Sequence, residues 1–141
     1  MANIDSFEDL RIWKEARALT NLVYRLTKGG AIAKDFRFCD QIRSASISIM
    51  NNISEGFESG YDKRFINFLF IAKGSSGEVR SMAYAGLDLG YFSEDQQTEI
   101  INKSRKISSG IKKLIDYLRQ NPHNFTNEDS ILYGYEGENN P

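Results

Sequence analysis

Apolar residues recur along most of the chain at steps of three and four, the spacing of one face of an α-helix. The pattern is clearest around Gln41–Gly56. There Ile42, Ala45, Ile49 and Ile53 form one line, and Ile47, Met50 and Phe57 form a second on another face. A helix that is apolar on two sides needs partners on both. One partner is the core of its own domain. The other, on this reading, is a second subunit, which makes Ile47, Met50 and Phe57 candidate oligomer-interface residues.

The same periodicity predicts four helices. The first runs from about Glu8 to Lys28, with a stripe of Leu10, Trp13, Ala16, Leu19, Val23 and Leu26. Ser6 is placed to cap it, with Asp9 three residues on approximating a capping box, and Gly29-Gly30 is placed to end it. The second runs from about Asp35 to Glu58. The third is capped by Ser59 or Asp62 and extends to about Gly90, with Phe65, Leu69, Ala72, Ser76, Val79, Ala83 and Gly86 on one face. Its middle, Gly74-Ser75-Ser76-Gly77, is unusual, because two helical glycines cost about 2 kcal/mol relative to alanine. The segment lacks the spacing of a phosphate-binding loop. Small residues that let two helix backbones approach closely are the better account. Ser93 to Gln96 is a capping box that opens the fourth helix, which runs to about Gln120 and is apolar at Ile100, Ile107, Ile111, Leu114, Ile115 and Leu118. Four helices with short connections predict an all-α, antiparallel up-down-up-down four-helix bundle over residues 6–121.

Polar residues interrupt the second helix at Ser44, Ser46, Ser48, Asn51, Asn52 and Ser54. Asn52 follows Ile49 by three and should lie near the core seam. Glu78 could reach Arg43 or Asn52, so these three residues are a candidate buried polar network. Such a network reads either as a polar site or as hydrogen bonds that fix helix register.

Composition and charge narrow the function. The chain has 141 residues, 40% of them apolar, enough for one domain with a real core. Its two prolines, Pro122 and Pro141, leave the stretch up to Asn121 uninterrupted. All 18 Lys and Arg precede Asn121, against 15 acids, so the body is +3; Glu128, Asp129, Glu136 and Glu138 make the remainder −4. The last twenty residues, 122–141, read as a flexible acidic tail in which Phe125, Ile131, Leu132, Tyr133 and Tyr135 could dock elsewhere. The most basic surface lies on the fourth helix, where Arg105, Lys112 and Arg119 are spaced by seven and flanked by Lys106 and Lys113. It reads as a nucleic-acid contact or as a solvated exterior with cations at the favourable end of the dipole.

Chemistry is sparse. The single histidine, His123, follows the last helix, so a Ser-His-Asp or Cys-His site among the helices is not expected. One Cys and one remote His exclude structural zinc, and no Glu-x-x-His pair exists for a di-iron centre. No metal, cofactor or enzymatic activity is expected. With one cysteine, Cys39, no internal disulfide is possible, and a reducing, cytoplasmic compartment is the expectation. The N-terminus lacks the apolar run of a signal peptide, and no stretch is long enough to span a membrane.

Several motifs together resemble a known family. They are Phe7-Glu-Asp-Leu-Arg-Ile-Trp-Lys-Glu-Ala16, Gln41-Ile-Arg-Ser-Ala-Ser-Ile-Ser-Ile49, Asn52-Ile-Ser-Glu-Gly56, Phe65 to Ala72, and Gly74-Ser75 followed by Glu78. In this order they resemble the bacterial four-helix-bundle family of 23S rRNA intervening-sequence (S23-like) proteins, whose molecular role is unresolved. The resemblance implies an antiparallel four-helix bundle that assembles as a homopentamer. A similar bundle is the accessory protein of diversity-generating retroelements, where a basic pentamer engages nucleic acid and a reverse transcriptase. This chain departs from that relative in its pI of about 5.9, and its first connection is Gly-Gly-Ala rather than a proline-containing turn. The expectation is a self-assembling, non-enzymatic protein. The alternatives are an oligomeric ring that binds RNA or DNA through the fourth helix, and a small-ligand or enzymatic bundle using the polar residues of the second helix and Glu78.

Overall fold

The computed structural model describes residues 4–122. The expected tail therefore lies outside the described residues, apart from an exposed Pro122. Four helices carry the chain: α1 (Arg11–Leu26), α2 (Phe36–Glu58), α3 (Asp62–Asp88) and α4 (Glu94–Gln120). Short 3-10 turns, Phe7–Asp9 and Ile32–Lys34, precede α1 and α2. No strand occurs among the described residues. α3 lies against α2 and α4, and α1 closes the core against the same two helices.

Burial follows the stripes. The fully enclosed large side chains include Leu19, Ile42, Ile49, Ile53, Leu69, Ile100, Ile107 and Ile111, drawn from all four helices. The predicted faces of α3 and α4 are buried at every position named. On α1 the stripe is rotated slightly: Ile12 and Leu22 are buried, whereas Trp13 and Leu26 are half-buried.

Three helix starts can be compared with expectation. Ser93 accepts from the Gln96 amide at 3.1 Å while the Gln96 side chain accepts from the Ser93 amide at 2.9 Å, so the capping box of α4 forms. The first helix starts at Arg11, not Glu8, because residues 7–9 turn as a 3-10 helix and Leu10 is extended at φ −69°, ψ 128°. Ser6 caps nothing; its hydroxyl donates to the Asp9 carboxylate at 3.1 Å instead. Neither Ser59 nor Asp62 caps α3. Ser59 donates to the Gly56 carbonyl at 2.6 Å, Tyr61 occupies the cap, and Asp62 is the first helical residue. α3 ends in a Schellman turn: Gly90, at φ +77°, donates to the Leu87 carbonyl, and Tyr91 donates to the Gly86 carbonyl.

The role assigned to Gly74 and Gly77 is corrected. A Cβ at either would meet nothing within 4 Å. Close approach occurs at Gly56, Gly86 and Gly110 instead, where a Cβ would lie 2.8 Å from Phe65 and Phe68, 2.3 Å from Phe92 and 2.7 Å from Ile12. Within the central segment it is Ser75 and Ser76 that face the neighbouring helices.

Candidate functional site

The polar residues of the second helix pair locally. Ser48 and Ser75 share a hydrogen bond at 2.8 Å between α2 and α3, and Asn52 donates to the Ser48 carbonyl at 2.8 Å and hydroxyl at 3.0 Å. Across α3 and α4, Ser76 donates to the Ser104 carbonyl and Ser108 donates to Ser76. Buried polar groups normally find such partners. Among the described residues three atoms do not: Ser104 Oγ and both carboxylate oxygens of Asp62. Asp62 is 9% exposed, and burial pushes its carboxyl from 3.8 up to about 6.

The network expected of Arg43, Asn52 and Glu78 does not form. Nine residues separate Arg43 from Asn52, which at about 100° per residue places them on opposite sides of α2. Arg43 turns toward α1, Asn52 bonds to Ser48, and Glu78 is exposed on α3.

Arg43 instead anchors the corner between α1 and α2. Its Nε donates to Thr27 Oγ1 at 2.8 Å and its Nη2 to the Thr27 carbonyl at 3.2 Å. The guanidinium lies 4.7 Å from the centre of the Tyr24 ring. Thr27 is itself buried and donates to the Val23 carbonyl at 2.8 Å. Beneath it the buried Cys39 thiol donates to the Ile32 carbonyl at 3.1 Å. At the start of α2, Asp35 caps the Phe38 amide and accepts from the Tyr91 hydroxyl at 2.7 Å, while Phe38 meets Phe92 edge to face. The Tyr91 hydroxyl, and secondarily the Phe38 amide, hold the Asp35 carboxyl below its usual range; the same carboxylate pushes the Tyr91 phenol up. A groove of about 780 Å³ opens at this corner, lined in part by Lys28, Phe36, Arg37, Asp40 and Arg43.

The five candidate nucleic-acid contacts on α4, Arg105, Lys106, Lys112, Lys113 and Arg119, are all exposed. Lys106 pairs with Glu15 at 3.5 Å, Lys112 pairs with Asp116 at 3.1 Å, and the Arg119 guanidinium lies 5.3 Å from the centre of the Phe70 ring. The candidate interface residues Ile47, Met50 and Phe57 are half-buried, and Met50 and Phe57 rest on the rim of the chain's own core.

Sequence reasoning missed the most exposed apolar side chains. Phe36 is 80% exposed, and Phe70, Ile71, Tyr84 and Leu89 are also open to solvent. The register carried the signal for two of them: Phe70 and Ile71 fall between the buried positions Leu69 and Ala72, where the helix turns its other side. Among the described residues no group of three or more His, Cys, Asp or Glu could hold a metal ion, and no helix is long and apolar enough to cross a membrane.

The chain resembles a solved structure, a protein of unknown function from the S23 ribosomal protein family of Bacteroides thetaiotaomicron. The two share 24% identity and superpose with a TM-score of 0.69, over 74% of this chain and 97% of that one. At that identity the likeness speaks to the fold. No protein of curated function matches the sequence. The profile of the 23S rRNA-intervening sequence proteins matches residues 8–113, most of the helical body, and the chain belongs to that family.

Proposed function

We propose that this protein is a non-enzymatic, self-assembling unit: an antiparallel up-down-up-down four-helix bundle that associates with copies of itself, as a homopentamer, in the cytoplasm. The observation that carries the reading is apolar surface beyond the core. Phe70, Ile71 and Tyr84 stand exposed on α3, and Ile47, Met50 and Phe57 form a half-buried row on α2. A ring joins two different faces of each subunit, and these two rows supply two faces. The open glycines agree with this. Gly74 and Gly77 cost about 2 kcal/mol of helix propensity and gain no close approach within the subunit. A neighbouring helix against α3 would give them one. The non-enzymatic part rests on the sequence, which has one histidine beyond the helices and no nucleophile or cofactor motif. Light scattering on the purified chain tests the proposal: an assembly larger than a dimer is expected, and a monomer at micromolar concentration would overturn it.

A second reading is favoured by a specific feature of α4. Arg105, in line with Lys112 and Arg119, and the flanking Lys113 are exposed and make no ion pair with the described residues. Repeated around a ring, this basic face would bind RNA or DNA through avidity. Such binding must weaken as salt rises. Arg105, Lys112 and Arg119 changed together to Glu should abolish it while leaving assembly intact.

A further inference from the structure

The corner groove between α1 and α2 combines features that neither the assembly nor the α4 face uses. Its volume, about 780 Å³, falls within the range of small-molecule sites. Three of its lining residues are cationic, Lys28, Arg37 and Arg43, against one acid, Asp40. Arg43 is fixed in place by Thr27 and Tyr24 through its Nε and Nη2 atoms, and its Nη1 group takes no partner among the described residues. A guanidinium held on one side and free on the other is pre-organised for an anion, and its fork geometry suits phosphate. On the same wall stands Phe36, with 80% of its surface exposed. The aromatic ring next to it in sequence order on the buried side, Phe38, is consumed by packing on Tyr91 and Phe92. Phe36 has no such ring partner among the described residues.

We propose that this groove binds a nucleotide unit, with the base stacked on Phe36 and the phosphate held by Arg37, Lys28 and Arg43. An exposed aromatic platform beside clustered cations is the combination that holds a base and its phosphate together. Asp40 and the neighbouring Gln41 supply an acceptor and a donor at the groove wall for the base edge. The chemistry is the same whether the nucleotide is free or part of a single strand. The proposal does not rest on oligomerisation or on the α4 face.

The test is an amide-resolved NMR titration of the full chain with AMP, adenosine, inorganic phosphate and a five-residue oligoadenylate, at low and at physiological salt. AMP should shift the amides of residues 27–43 saturably, more tightly than phosphate or adenosine. Phe36→Ala should weaken it roughly tenfold, and Arg37→Glu should weaken it and flatten its salt dependence. Both positions are exposed, so both variants should fold. Saturation by AMP identifies a free nucleotide as a ligand. Saturation by the oligoadenylate alone, with the same loss in both variants, supports the site and assigns it to a strand. The proposal is overturned if neither ligand shifts these amides, if either variant binds as the unaltered chain does, or if phosphate alone binds as tightly as AMP.

Discussion

Asp62 should make this protein less stable as the pH rises from 4 to 7, and replacing it with asparagine should remove that loss. The carboxylate sits in the first turn of α3, 9% exposed, with neither oxygen hydrogen-bonded. Burial disfavours the charged form, so the folded carboxyl titrates near 6 instead of 3.8. The folded chain thus holds this proton more tightly than the unfolded one. The stability it contributes is complete below 3.8 and is lost as the pH climbs through about 6. At 1.36 kcal/mol per pH unit the full displacement would be about 3 kcal/mol. The next residues, Lys63 and Arg64, are exposed, so solvent is near and screening reduces the figure to about 1–2 kcal/mol. Asp62→Asn also forfeits a carboxylate at a helix start, worth ~0.3–1 kcal/mol. The net expectation at pH 8 is a gain of roughly 1 kcal/mol, shrinking to nothing or slightly below it at pH 4. Urea unfolding followed by far-UV circular dichroism, at matched protein concentration, measures the difference between the two chains at each pH. A difference that is flat between pH 4 and 8, or that grows toward acid, would refute the argument.

Other residues give contrasting outcomes. Tyr91→Phe should show the opposite pH dependence: Asp35 loses the donor that holds its carboxyl low, so the variant is less stable at neutral pH, and thermal melts of the two chains should converge once Asp35 is protonated in both. Gly86→Ala should cost about 2 kcal/mol, because its Cβ would strike the Phe92 ring at 2.3 Å. Gly74→Ala meets open space and should stabilise an isolated subunit by about 1 kcal/mol while weakening any assembly built on that face, which urea melts and light scattering read separately. Ser93→Ala removes the hydroxyl that accepts from the Gln96 backbone amide and leaves only the backbone half of the α4 capping box, and should cost about 1 kcal/mol in the same urea assay.

These outcomes turn on register, and register also separates what the sequence made legible from what it did not. A stripe such as Phe65, Leu69, Ala72, Ser76, Val79, Ala83 and Gly86 announces a buried face because every step is three or four, and all seven positions are buried. The same arithmetic already held the answer for the glycines. Gly86 continues that stripe and Gly56 continues Ile49 and Ile53, so both point inward and meet aromatic carbons. Gly74 lies two residues from both Ala72 and Ser76, which turns it outward. Composition drew attention to the wrong pair, since adjacent small residues are conspicuous and isolated ones are not. Arg43 fails for a different reason. Periodicity says which side of α2 it occupies, but not that the α1–α2 connection brings the Thr27 hydroxyl and carbonyl to 2.8 and 3.2 Å from it. The first helix shows the limit of capping signatures: Ser6 and Asp9 have the right spacing, yet their side chains satisfy each other, leaving the backbone to start its helix at Arg11. A side-chain pair that can close on itself competes with the cap it appears to announce. At Ser93 the partner is glutamine, whose side-chain carbonyl accepts from the cap's backbone amide while the Gln96 backbone N–H donates to the serine hydroxyl, and there the signature holds.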